Sequence, residues 1–309
     1  MNWKIILIGL LVVSFLWRGV NIFQSNLEDV FYAQIAQPLE SIYLVQIPQK
    51  PEKPHLEIAA TSAISVKIFE NGRKKMIFKQ NINQVLPIAS LTKLMTAVIV
   101  LEDSINYDFA KIITVSKTAV SQAEDFGNLK IEDKLSVKDL LHILLIESSN
   151  DAAYALAEEI GIEQFIEKMN QRAQVLNLSN TYFINPTGLD PERAEVPTNY
   201  STAENLAQLS QYILNNHPLI FEISSKMSYE VLDGWGQFHH LAINKNNGFL
   251  GEIKNFVGGK TGFTEKAGGC MILVLKNQCS HLINVILGTK SADERQTEMQ
   301  KLIDWINNQ

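Results

Sequence analysis

The sequence is poor in cysteine. Only Cys270 and Cys279 occur in 309 residues, which rules out a disulfide framework. Both fall in one C-terminal, strand-like region, where two unpaired thiols are expected. Grouped metal ligands are also missing. Six histidines are present, including the adjacent pair His239-His240, but no His, Cys and carboxylate grouping has structural-zinc spacing. No metal or other cofactor is therefore expected. Long basic runs are missing too. With 27 Lys and Arg against 33 Asp and Glu, the formal charge is -6, which argues against a nucleic-acid partner. No internal repeat is visible. Hydrophobic content of 46% with 19% charged residues excludes a disordered chain, and the length suits one large domain or two modest ones.

One long apolar run is present. Lys4 precedes residues 5–17, which are apolar throughout except for Ser14, and Arg18 closes the run. That is a positive n-region followed by an h-region. A full span needs roughly 20 apolar residues, and the mostly apolar 19–23 extends the run past Arg18. An uncleaved signal anchor over 1–23 and a cleaved signal peptide both fit, and both place the rest of the chain outside the cytoplasm. Residues 24–55 read as a stalk. Its segment 46–55 (QIPQKPEKPH) holds three prolines and should be extended and solvated. At polyproline rise, residues 46–54 would span about 28 Å and hold the domain 56–309 away from the membrane.

Residues 62–69 alternate as a strand, Asn71-Gly72 reads as a hairpin turn, and 75–78 as the return strand. After Pro87, the residues Leu91, Leu94, Met95, Val98 and Leu101 recur at helical spacing. Further helices are expected over 137–147, 151–160 and 162–176, and from a capping box of Ser201 with Glu204 to about 215. Strands at 269–275 and 281–287 flank a turn at Asn277, and a helix over 292–307 closes the chain. The order is strands, helical insertion, strands, helix. It predicts an α+β fold, with an antiparallel sheet built from both chain ends and a helical subdomain between them.

Three short signatures carry chemistry. Ser90-Leu91-Thr92-Lys93 is the only S-x-x-K in the chain, at the start of an expected helix. A serine and a lysine three apart share one helix face, and a neutral lysine there can take the serine proton. Backbone N–H groups at that helix end can meet an oxyanion. Ser148-Ser149-Asn150 gives S-x-N between two helical stretches, where a side-chain cluster can face a cleft. The other S-x-N, at Ser104, lies about four turns down the first helix, out of reach of Ser90. Lys260-Thr261-Gly262 is the only K-T-G, and it follows Gly258-Gly259. Glycines permit close backbone approach, and a lysine beside a hydroxyl suits a carboxylate-bearing ligand. Taken singly, these read as a helix cap, an N-cap and a solvated turn. Together and in this order they are the set of penicillin-binding proteins and class A β-lactamases, with S-x-N in place of S-D-N.

The chain resembles the low-molecular-mass penicillin-binding proteins, the serine D-Ala-D-Ala carboxypeptidases. The likeness covers about 56–309 and rests on 87–96 (PIASLTKLMT), 148–157 (SSNDAAYALA), 183–189 (FINPTGL), 200–203 (YSTA) and 259–268 (GKTGFTEKAG). It implies a penicillin-binding, β-lactamase-like transpeptidase fold. It also implies a hydrolase that removes the terminal D-Ala from peptidoglycan stem pentapeptides and is inhibited covalently by β-lactams. Ser90 would be the nucleophile and Lys93 the base. Ser148 and Asn150 would position substrate and return the proton. Lys260, Thr261 and Gly262 would bind near the terminal carboxylate. The N–H groups of Ser90 and Phe263 would form the oxyanion hole, and Arg295 would hold the free carboxylate. Many such enzymes continue into a C-terminal β-domain, whereas this sequence stops at Gln309. A shorter branch acts as D,D-endopeptidases on cross-links and is the alternative. A β-lactamase needs a further acid to activate water, and Glu192 and Glu195 do not sit in the expected E-x-x-L-N text. A non-catalytic wall-binding module would not be expected to keep Ser90, Lys93 and Lys260.

Overall fold

Strand Ser62–Phe69 (β1) turns back through Asn71-Gly72 into Lys74–Gln80 (β2), with Gly72 at φ 79° where the turn demands a left-handed residue. The remaining strands of this sheet come from the far end of the chain: Phe256–Thr264 (β3), Gly268–Asn277 (β4) and Ser280–Thr289 (β5). All pairings are antiparallel, in the order β2-β1-β5-β4-β3, so β3 is an edge. In this computed structural model the described residues are 3–31, 33, 56–123, 126–193, 195–244 and 247–308. The chain divides into two units, Met1–His55 and Leu56–Gln309.

In the second unit the central strands of the sheet are buried on both faces. Met271, Leu273 and Leu275 of β4 join Leu282 and Ile286 of β5 in one core with Met299, Leu302 and Ile303 of the closing helix Ala292–Asn307. Their neighbours Cys270, Ile272, Val274, Ile283, Val285 and Leu287 enter the other core, which holds the helical insertion. Double burial explains why these strands read as nearly unbroken apolar runs. The closing helix is capped by Ser291, whose Oγ accepts from the Glu294 N–H, while the Glu294 carboxylate accepts from the Lys290 N–H. This two-way cap fixes its start. Cys270 is buried and Cys279 exposed, and both are free thiols.

The helical insertion departs from expectation in three places. Ser90 does not lie on the α-helix: Ala89–Thr92 is a 3₁₀ turn, and the helix proper runs Lys93–Glu102. The expected helix 137–147 splits into an α-helix Val137–His142 and a π turn Ile143–Glu147. The helix Ala203–Asn216 is capped by Thr202, whose Oγ1 accepts from the Asn205 N–H. Ser201 does not form the capping box; it exchanges a hydrogen bond with Thr181. The helices Asn150–Glu158 and Ile162–Val175 fall where expected.

In the first unit a single helix spans Trp3–Phe31. Its segment Leu7–Phe31, which contains an 18-residue window of mean hydropathy 1.6, is long and apolar enough to cross a membrane. It runs eight residues beyond Phe23, into the segment expected to be stalk. The proline-bearing segment 46–54 lies outside the described residues.

Candidate active site

The 3₁₀ turn is what joins Ser90 to Lys93. With three residues per turn, side chains at i and i+3 eclipse, and the Lys93 Nζ lies 2.7 Å from the Ser90 Oγ. The next eight residues, from Lys93 to Val100, are all buried, so this helix runs through the core and holds Lys93 rigidly. Lys93 is fully buried, with further contacts from Nζ to Asn150 Oδ1 at 2.7 Å and to the Thr187 carbonyl at 2.6 Å. Those two oxygens only accept, so each takes an N–H. The Ser90 hydroxyl can donate as well as accept. A neutral Lys93 can therefore keep both N–H bonds and turn its lone pair to the serine proton, with no rearrangement.

Asn150 is the first residue of its helix and almost wholly buried. Its side-chain NH2 donates to the Ala123 carbonyl at 2.7 Å, which leaves its oxygen aimed at Lys93. Ser149, not Ser148, caps that helix, with its Oγ accepting from the Ala152 N–H. Ser148 is thereby left to the cleft. It ends the π turn in the left-handed region, at φ 63° and ψ 30°, a conformation that is uncommon for serine. Its Oγ accepts from Lys260 Nζ at 2.7 Å, and Lys260 also donates to the Thr261 carbonyl at 2.8 Å.

The edge strand β3 carries Lys260, Thr261, Gly262 and Phe263 past the nucleophile. A Cβ built on Gly262 would stand 2.8 Å from the Ser90 N and 2.9 Å from the Ala89 Cβ. Only glycine allows that approach, which brings the backbone of β3 beside the Ser90 N–H. Phe263 is exposed on this edge, and Thr261 is half-buried. From the opposite side of the strand, Arg295 Nη1 donates to the Gly262 carbonyl at 2.6 Å. Arg295 is buried, and burial holds its guanidinium below the ordinary arginine value. Its Nε has no hydrogen-bond partner among the described residues.

All nine site residues expected from sequence thus meet in one region, with Arg295 reaching it through Gly262. Several partners were not foreseen. The Thr187 and Ala123 carbonyls are backbone groups without a side-chain signature. The loop bearing Thr187 is fixed by Asn185, Asn199 and the buried hydroxyls of Thr92 and Thr96: Thr96 donates to the Pro186 carbonyl, and Asn199 donates to Thr92 Oγ1 and to the Asn185 carbonyl. Gly188, at φ 87°, lies so near Ala89 that an added Cβ would be 2.0 Å from its carbonyl oxygen. The Asn-Pro-Thr-Gly text is the signal that marks this turn. Glu192 and Glu195 are exposed.

The sequence profile of the D-alanyl-D-alanine carboxypeptidases, peptidase family S11, matches residues 47–291. The chain belongs to that family. It is a serine peptidase, hence a hydrolase. The chain is 33% identical over 298 residues to the D-alanyl-D-alanine carboxypeptidase DacD of Escherichia coli, covering 93% of this chain and 70% of the relative. It is 31% identical over 219 residues to a D-alanyl-D-alanine endopeptidase of Pseudomonas aeruginosa, covering 70% and 67%. Its second unit is similar to penicillin-binding protein D2 of Listeria monocytogenes in its cefotaxime-bound form, with TM-score 0.71, 30% identity, 82% of this chain covered and 99% of the other. The family match ends at residue 291, so Arg295 lies just beyond it.

Proposed function

We propose that this peptidase is a D-Ala-D-Ala carboxypeptidase that removes the terminal D-Ala of peptidoglycan stem pentapeptides through an acyl-enzyme on Ser90. The observation that carries this reading is the single contact set of Lys93 to Ser90, Asn150 and Thr187. Lys93 takes the Ser90 proton as Oγ bonds to the carbonyl carbon of the penultimate D-Ala. The N–H groups of Ser90 and Phe263 receive the oxyanion. Collapse breaks the C–N bond, and the proton taken up by Lys93 passes through the Ser148 hydroxyl to the leaving D-Ala amine, which returns Lys93 to its neutral form while Lys260 keeps its charge beside Ser148. Water then hydrolyses the ester and frees Ser90. Lys260 and Thr261 bind the substrate carboxylate.

Arg295 favours the carboxypeptidase over the cross-link endopeptidase. Its guanidinium donates to the Gly262 carbonyl, so its charge lies behind the strand that would hold a free terminal carboxylate. An endopeptidase need not recognise a free terminal carboxylate. The endopeptidase reading keeps its place because of the 31% identical relative of that name. Penicillins should acylate Ser90 under either reading, in keeping with the antibiotic-bound relative. The apolar segment Leu7–Phe31 would tether the peptidase domain, about 56–309, to the outer side of the cell membrane, or direct secretion if cleaved, with residues past the helix acting as a stalk.

The test is release of free D-Ala from a stem pentapeptide by the purified chain, with Ser90→Ala as control. Release lost in the variant supports both the reaction and the nucleophile. Penicillin labelling without release would move the assignment to endopeptidase, and neither activity would overturn it.

A further inference from the structure

The loop that offers its carbonyl to Lys93 is held in two separate ways. Within the loop, the Asn185 side-chain oxygen accepts from the Thr187 N–H at 3.2 Å, the Gly188 N–H at 2.7 Å and the Thr187 hydroxyl at 3.0 Å. Asn185 Nδ2 donates to the Leu189 carbonyl at 3.0 Å, and the Leu189 N–H donates to the Thr187 hydroxyl at 3.1 Å. These bonds give the turn its shape. They do not decide where it sits against the helix Lys93–Glu102.

Its place is set from that helix. Thr96 Oγ1 donates to the Pro186 carbonyl at 2.7 Å. Thr92 Oγ1 accepts from Asn199 Nδ2 at 2.9 Å, and Asn199 Oδ1 accepts from the Ile184 N–H at 2.7 Å. The Asn199 carbonyl accepts from the Ile88 N–H, two residues before Ser90. Thr92 and Thr96 stand four apart and so share one helix face. Lys93 bonds the carbonyl that follows Pro186, that of Thr187, at 2.6 Å. Apart from Lys93 and Thr96, the buried residues of this helix are all apolar. A valine of the same shape would fill the Thr96 site equally well, so the hydroxyl is accounted for by its bond to the loop and not by packing.

We infer that Thr96 and the Thr92–Asn199 pair are positioning residues for acylation: they fix the Thr187 carbonyl against Lys93 Nζ, so that the lysine keeps an N–H on that carbonyl and turns toward Ser90. The inference rests on the role of base proposed above for Lys93. Thr92, Thr96 and Asn199 are buried, and each acts through the loop. The other acceptor at Lys93, Asn150 Oδ1, comes from a different helix and has its own anchor at the Ala123 carbonyl. Loss of the Thr96 hydroxyl therefore leaves Asn150 in place and loosens only the loop. Lys93 Nζ then has one fixed acceptor in place of two, and its direction toward Ser90 is no longer set.

The test uses the full chain in detergent and a fluorescent penicillin over a range of concentrations, which separates affinity from the limiting rate of acylation. A misplacement of about 1 Å in a reacting group costs on the order of 10²-fold, and with the turn's internal bonds intact Thr96→Val should lower the limiting rate by about tenfold. Affinity should stay within about twofold, since the contact with the ligand is untouched. Thr96→Ser keeps the hydroxyl and should return the rate to within about threefold of the parent. In a Lys93→Met background, Thr96→Val should have no further effect, because its route to Ser90 runs through the lysine. Thr92→Val removes one acceptor of Asn199 and should repeat the pattern with a loss of about threefold. It carries the same comparison if Thr96→Val does not fold. Loss by an equal factor in both backgrounds, a change in affinity alone, or no recovery in Thr96→Ser would overturn the inference and leave these hydroxyls as parts of the core only. A parent chain that penicillin does not acylate would overturn the proposed function and this inference with it, whereas an acylated parent with the same limiting rate as Thr96→Val would overturn the inference alone.

Discussion

The cleft has two walls, and each presents a buried lysine. Lys93 stands in the nucleophile wall, three residues from Ser90, on a helix whose first eight residues are buried. Lys260 stands in the opposite wall, on an edge strand, and its partner Ser148 lies 112 residues away in sequence. Lys93 faces two fixed acceptors and one hydroxyl, a set that works with a neutral amine. Lys260 donates to a hydroxyl and to its neighbour's carbonyl, a set suited to a fixed cation and its ligand's carboxylate. In the proposed function the same side chain serves proton transfer in one wall and charge recognition in the other.

Substitution of the two lysines should separate these roles. Lys93→Met keeps most of the volume and removes the proposed base. Penicillin acylation should fall by roughly 10²–10⁴-fold, and added small amines should restore part of it. Lys260→Ala should cost about 10²–10³-fold, as for loss of a positioned charge at a reacting centre, and amines should restore less. Equal rescue at both positions would erase the distinction. The readout is the rate of covalent labelling by a fluorescent penicillin.

The two walls also differ in how far they could be read from sequence. Ser90 and Lys93 are local, so their spacing announced them. Even so, the pairing depends on a 3₁₀ turn, which periodicity cannot distinguish from the first turn of an α-helix. The closing helix was legible to the residue, Ala292–Asn307, because Ser291 and Glu294 write its cap in side chains. The cap of Ala203–Asn216 was read one residue early, because Ser201 and Thr202 offer the same hydroxyl chemistry and only the backbone decides between them. The nucleophile wall is completed by main-chain groups without a side-chain signature, the Thr187 carbonyl at Lys93 and the Ala123 carbonyl at Asn150. The binding wall is assembled over long separations: Lys260 meets Ser148 across 112 residues, and the pair His239-His240 was visible while its partners Asp133 and Glu147, 106 and 93 residues away, were not.

A smaller effect tests which ligand the binding wall serves. Arg295→Ala should lower kcat/KM for a pentapeptide with a free terminal carboxylate by roughly 10–100-fold, the range for a charge-assisted hydrogen bond. Cleavage of a cross-linked substrate without that carboxylate should change little. Arg295→Lys separates lost contact with Gly262 from lost charge, since lysine keeps the charge but not the planar fork. A drop of equal size on both substrates would make Arg295 a support for β3 and weaken the carboxypeptidase assignment.

The smallest effect concerns what lies beneath the binding wall. His142 ends the helix that leads into the π turn and Ser148. Its Nδ1 donates to the Lys138 carbonyl at 2.8 Å, and its Nε2 accepts from Lys226 at 3.1 Å, a pattern that only a neutral ring can satisfy. Burial is the main cause that lowers its pKa to about 4 from the ordinary 6.5, with the nearby Lys226 cation adding to the effect. As pH falls, the unfolded chain takes up this proton first, so protonation favours unfolding. The contribution of His142 to stability is therefore complete above about pH 6.5 and is lost progressively as pH falls toward 4. His142→Gln supplies a donor and an acceptor without titrating. It should flatten the decline of Tm between those pH values relative to the parent chain, with activity at neutral pH retained. A decline of the same slope in both proteins would place the acid sensitivity of this wall elsewhere.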